Sequence, residues 1–140
     1  MMKKEILLRY IFYGLLGVSL EIFFTGFLSL LKNDLTLEGK SYIWMFFIYG
    51  LSVFLEPIHD KIRNENILVR GLIYTVLIYI VELYSGSLIM KLIGECPWSY
   101  KDSINVDSII NPEFLPIWFA LGLFLERVHD FLDNKIRLLL

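Results

Sequence analysis

The sequence has one cysteine, Cys96, so it can form neither an intrachain disulfide nor a multi-thiolate metal site. It also lacks a basic excess. Thirteen Lys and Arg against fifteen Asp and Glu leave a net charge of -2, which offers no field for holding nucleic acid phosphates. No G-x-x-x-x-G-K-[ST] or G-x-G-x-x-G occurs, so the chain has no recognisable nucleotide-binding loop of its own. At 140 residues it has room for one domain, 1–140, and hardly for a second.

What is abundant is apolar. Hydrophobic residues make up 56% and mean hydropathy is +0.61, above the usual range for a soluble protein. The charges are segregated as well. Between Ile6 and Leu31 only Arg9 and Glu21 are charged, between Ser41 and Leu55 none is, between Gly71 and Met90 only Glu82 is, and between Phe114 and Leu125 none is. A span needs about 20 mostly apolar residues, and three of these windows reach that if one Glu is tolerated in each. The fourth does so only by continuing through Glu126 to about Leu132. A soluble bundle would show a polar stripe about half a turn wide on each helix, and none is visible. The opening Met-Met-Lys-Lys-Glu before an apolar run reads as a retained first helix, because the run is too long for a signal peptide and no A-x-A follows.

These windows predict an all-α integral membrane four-helix bundle, multi-pass in the cell membrane with the lipid bilayer as its first partner. On a four-span path, Lys3, Lys4, Arg9, Lys61, Arg63, Arg70, Arg127, Lys135 and Arg137 collect on one side, against Lys32, Lys40, Lys91 and Lys101 on the other. The positive-inside rule then puts both termini in the cytoplasm, with an outer loop at 95–112.

The chain also repeats itself. Ile6-Leu7-Leu8-Arg9, with Tyr13 and Glu21, recurs as Ile67-Leu68-Val69-Arg70, with Tyr74 and Glu82, at an offset of 61. Phe54-Leu55-Glu56-Pro57-Ile58-His59-Asp60 recurs as Phe124-Leu125-Glu126-Arg127-Val128-His129-Asp130, at an offset of 70. Each unit is a helix pair, about 5–63 and 66–134. An even number of spans makes the two repeats parallel, related by a pseudo-two-fold axis along the membrane normal.

Ionisable groups in a membrane helix face a bundle interior or a wet cavity. Steps of four place Arg9, Tyr13, Gly17, Glu21 and Thr25 on one face of the first helix, and Arg70, Tyr74, Ile78, Glu82 and Gly86 on one face of the third. Tyr49, Ser52, Glu56 and His59 share a face in the second, as do Gly122, Glu126 and His129 in the fourth. The small residues Gly17, Ser52, Gly86 and Gly122 would let helices approach closely. At about 1.5 Å per residue the midplane acids Glu21 and Glu82 lie about 18 Å from Arg9 and Arg70, which rules out direct pairing. Glu21, Glu82, Glu56, Glu126, Tyr13 and Tyr74 are therefore the candidates for a substrate or ion pathway. Arg9, Arg70, His59, Asp60, His129 and Asp130 are expected to pair at the cytoplasmic side, within each helix pair and across the repeats.

One Glu on each of two helices plus Glu-x-x-His on the other two is also the ligand inventory of a di-iron carboxylate bundle. That alternative would use Glu56, His59, Glu126 and His129, but Glu21 and Glu82 stand about 10 Å or more too deep to share metals with them. The preferred reading holds no metal, no cofactor and no catalytic residue. In the outer loop Cys96, Pro97, Trp98 and Tyr100 read as an aromatic interfacial brace. Cys96 has no histidine on that side to activate it.

Trp44 through Gly50, Arg70 before Ile73-Tyr74, Glu82 ahead of Ser85-Gly86, Cys96-Pro97-Trp98-Ser99-Tyr100, and Pro116 with Trp118-Phe119 before Glu126 carry a resemblance. The chain resembles the small multipass family described as putative type-IV ABC-transporter permeases, and is similar to the animal transmembrane protein 229 group. The resemblance covers the chain from about Ser41 onward. It implies transport by an inner-membrane permease or the membrane subunit of a transporter, with the membrane glutamates as family features and His59 and His129 as departures. A homodimer and a separate ATPase subunit fit this reading, nucleic acid does not, and enzyme activity is not expected. A non-catalytic scaffold or accessory protein is the alternative, and a Glu-x-x-His metal-binding bundle the second alternative.

Overall fold

The computed structural model of the chain describes residues 3–100 and 104–136, and the side chain of Ile136 is not described. Lys101, Asp102 and Arg137, which entered the loop and orientation readings, lie outside these residues. The described residues are all-α, with no strand among them. They form α1 (Lys3–Leu31), α2 (Ile43–Gly50), α3 (Glu56–Ile62), α4 (Ile67–Ile93) and α5 (Leu115–Ile136), with short 3-10 helices at Leu51–Leu55 and Pro112–Phe114.

Because α2, the first 3-10 helix and α3 follow one another without a break, the described residues form four helical stretches. The second differs from the long helix expected there. Only eight of its residues are α-helical before the backbone tightens into the 3-10 turn. Pro57 supplies the cause: its ring cannot donate and would clash with the carbonyl four residues earlier, so α3 has to restart with proline in its first turn.

Among the described residues two helices, α1 and α4, are long and apolar enough to cross a membrane, where the sequence had suggested four spans. Most of their apolar residues are exposed. Phe23 is 79% exposed and Tyr84 74%, while Arg9 is 2% and Tyr74 1%. A soluble core helix would show the reverse, so this inside-out distribution fits lipid on the outside and polar contacts within. Helix α5 extends past Leu132 to Ile136, but its second half carries Glu126, Arg127, Asp130, Asp133 and Lys135.

The chain divides into two compact units, 1–54 and 55–140. In the first, α1 packs on α2, and the connection between them is fastened to α1. Thr25 Oγ1 accepts from the Lys40 backbone at 2.7 Å, and Ser29 Oγ donates to the Glu38 carbonyl at 2.9 Å. In the second, α4 packs on α5, and α3 also meets α5. The Asn66 side chain caps α4 by accepting from Val69 N at 3.0 Å, and Gly94, at φ +84°, closes it in the left-handed conformation that suits glycine. Tyr79 on α4 donates to the Asn111 carbonyl at 3.0 Å, which ties the end of the loop to the helix.

Candidate functional site

In the first unit the polar line of α1 faces α2. Tyr49 donates to Glu21 at 2.7 Å. The contact depends on Gly17, where a Cβ would fall 2.2 Å from the Tyr49 ring carbon Cγ. Arg9 pairs with Glu5 at 3.2 Å, one turn away on its own helix, and Tyr13 is buried on the same face. Thr25, expected on the inward line, lies on it but serves to pin the loop.

The second unit gathers most of the chemistry. Helix α4 supplies Arg70 and Tyr74, α3 supplies Glu56, His59 and Asp60, and α5 supplies Glu126, His129 and Asp130. Tyr74 donates to Glu126 Oε1 at 2.9 Å, which leaves the phenol oxygen able to accept from His59 Nδ1 at 3.2 Å. His59 Nδ1 also lies 3.3 Å from Glu126, and Arg70 Nε lies 3.4 Å from the same oxygen in an ion pair longer than a good hydrogen bond. Arg70 donates in addition to the Arg63 carbonyl at 3.1 Å. Arg70 thus meets an acid of α5 and a carbonyl of the turn after α3.

Between α3 and α5 the contacts are reciprocal. His59 places Nδ1 on Glu126 and Nε2 on Asp130, each at 3.3 Å. His129 places Nδ1 on Glu56 at 3.3 Å and Nε2 on Asp60 at 3.2 Å. Each histidine thus takes, from the opposite helix, the residues that stand 70 positions from its own neighbours. The rings meet edge to face with centroids 5.2 Å apart. Glu56, His59, Glu126 and His129 are all buried.

Arg63 closes this cluster from the turn after α3. It donates to Asp60 at 3.0 Å and to Asp130 at 2.9 Å, and the two carboxylates push its guanidinium pKa up. Sequence reasoning counted Arg63 only as a topology-setting charge. The signal available was its position between two carboxylates that the repeat makes equivalent.

Glu82 stands apart from this group. It lies two turns beyond Tyr74, about 12 Å along α4. The Oε2 of Glu82 and the indole N–H of Trp98 are buried without hydrogen-bond partners among the described residues, and the indole N–H of Trp118 faces the Glu82 carboxylate. Gly86, one turn on, makes room for the loop, since a Cβ there would meet Ile109, Trp98 and Cys96. The aromatic contacts of this region join Tyr100 to Phe114 at 5.6 Å, and Phe114 stacks on Trp118 at 5.6 Å. Cys96 itself is only 5% exposed, not presented to solvent as an outer loop residue would be. Burial pushes its thiol pKa up, a backbone bond at Trp98 opposes this, and Glu82 adds to the rise. A thiol held protonated is a poor nucleophile.

The four-residue ligand set of the di-iron alternative does not converge on a shared centre. Glu56 and Glu126 are each engaged by the Nδ1 of the facing histidine. Among the described residues, the atoms that come together as possible metal ligands belong to His59, Asp60 and His129, all within 4.8 Å of one another.

A family model described as Putative ABC-transporter type IV matches residues 8–139. No solved structure matches the chain.

Proposed function

The chain belongs to the family described as Putative ABC-transporter type IV, and from that premise we propose that it is a small polytopic permease or the membrane subunit of a transporter. The coarser statement, a transport-related membrane protein, follows from the family and from two membrane-length helices whose apolar residues face outward. The finer reading has four spans, both termini cytoplasmic and two parallel helix-pair repeats. Its support is the reciprocal bonding of His59 and His129, which is what a two-fold relation between residues 70 apart would produce.

The observation that carries transport is the pair of carboxylates inside apolar helices. Glu21 accepts from Tyr49, and Glu82 has a buried oxygen, Oε2, without a partner among the described residues. A carboxylate set in an apolar helix away from other charges can exchange a proton or engage a polar solute, whereas Glu56 and Glu126 face histidines, a tyrosine and an arginine. Glu21 and Glu82 are accordingly the pathway residues, with Tyr13 and Tyr74 on the same helix faces. Glu56 and Glu126 hold the helices together. Four helices enclose little space, so a homodimer would form the conduit, and a separate ATPase subunit would supply any hydrolysis.

In a deletion strain, Glu21→Gln with Glu82→Gln is expected to be present in the membrane at normal levels yet fail to complement the transport phenotype. Full complementation by that double variant would remove the transport role and favour a scaffold in which the inward charges only fix packing.

A further inference from the structure

We propose that the α3–α5 cluster is a binding site for one divalent transition-metal ion, zinc the foremost candidate, with the Nε2 atoms of His59 and His129 and the carboxylates of Asp60 and Asp130 as ligands. Two imidazoles and two carboxylates suit such an ion, and harder ions such as magnesium prefer all-oxygen shells. The spacing is close to what binding needs. Tetrahedral ligands at about 2.0–2.2 Å from zinc stand about 3.4 Å from one another. His129 Nε2 already lies 3.2 Å from Asp60 Oδ1, and His59 Nε2 lies 3.3 Å from Asp130 Oδ1. One ligand atom from each of His59, Asp60 and His129 falls within 4.8 Å of the other two, so these three need contract by at most about 1.4 Å, and Asp130 joins them through its contact with His59 Nε2.

The surroundings point the same way. Metal-binding histidines nearly always donate the other ring nitrogen to a carboxylate or carbonyl, which fixes the tautomer and turns the free nitrogen to the ion. Here both Nδ1 atoms rest on buried glutamates, Glu126 for His59 and Glu56 for His129, and both Nε2 atoms turn to the more exposed aspartates. Asp60 and Asp130, at 55% and 35% side-chain exposure, open the site to water. Arg63 now bridges the two aspartates from the turn, a cation at the point where their charges converge, and it is itself 45% exposed and able to swing away. The ion would replace that guanidinium and link α3 to α5 more tightly.

The inference is independent of the transport reading, since it involves neither Glu21 nor Glu82. Its test is titration of the purified full-length protein, stripped with chelator in detergent, using zinc followed by calorimetry and cobalt followed by visible absorption. One ion per chain is expected, with the intense absorption of tetrahedral cobalt. Arg63→Gln should bind zinc about tenfold tighter because the competing cation is gone. Asp60→Asn with Asp130→Asn should lose at least as much affinity as Arg63→Gln gains. His59→Gln and His129→Gln should each abolish the cobalt spectrum. Absence of saturable binding in both the parent and Arg63→Gln would overturn the proposal, and so would binding that survives both histidine replacements unchanged. The gain expected of Arg63→Gln keeps the test decisive even if a histidine variant fails to fold.

Discussion

Glu126→Ala is expected to cost about 3 kcal/mol, because it removes a buried acceptor from Tyr74 and His59 and the carboxylate partner of the partly buried Arg70. One oxygen, Oε1, accepts from Tyr74 at 2.9 Å and lies 3.3 Å from His59 Nδ1 and 3.4 Å from Arg70 Nε. The side chain is 7% exposed, so water cannot readily take its place. Glu126→Gln should cost less. It keeps an acceptor for Tyr74 and loses only the charge that faces Arg70. The check is melting of both variants in detergent by an intrinsic tryptophan signal. A loss below about 1 kcal/mol for the alanine variant, the range of an exposed ion pair, would mean that the cluster is not buried as described.

Gly122→Ala should be the other large loss, about 1–3 kcal/mol from a single added methyl. The new Cβ would sit 2.3 Å from Tyr74 Cβ and 2.9 Å from Tyr74 Cγ. Rotation of the ring offers no relief, because the nearest atom is fixed to the backbone of α4. The two helices would have to separate, and the Tyr74–Glu126 hydrogen bond would lengthen with them. Detergent melting again gives the measurement, and unchanged stability would show that α4 and α5 do not approach so closely at Gly122.

Much of this arrangement was legible from spacing. Steps of four placed Arg9, Tyr13 and Glu21 on one face and Tyr74 and Glu82 on another, since a charge in an apolar helix has to turn inward, and these are among the less exposed residues of α1 and α4. The small residues at 17, 86 and 122 were legible for the same reason, and each has a neighbour where its Cβ would be. The change from α to 3-10 geometry before Glu56 was signalled by Pro57 but masked by the length of the apolar run. Burial of Cys96 was not legible, because it depends on the fold of the loop. Asp107 and Ser108 adopt positive φ there, and the Ser108 carbonyl accepts from Tyr100 N at 2.8 Å, neither of which a hydropathy pattern encodes. The exchange of partners between Glu56-x-x-His59 and Glu126-x-x-His129 was hidden by the habit of reading Glu-x-x-His as one ligand face. Treating the offset of 70 as a contact symmetry would have suggested it.

The four-span account stands on the second helical stretch, Ile43–Ile62, crossing the membrane even though only its outer portions are α-helical. Single cysteines at Glu38 and Asn64, both exposed and on either side of that stretch, test this directly in a Cys96→Ser background. With a membrane-impermeant thiol reagent on intact cells, Glu38→Cys should label from outside and Asn64→Cys only after permeabilisation. Labelling of both from the same side would contradict the crossing and with it the four-span arrangement.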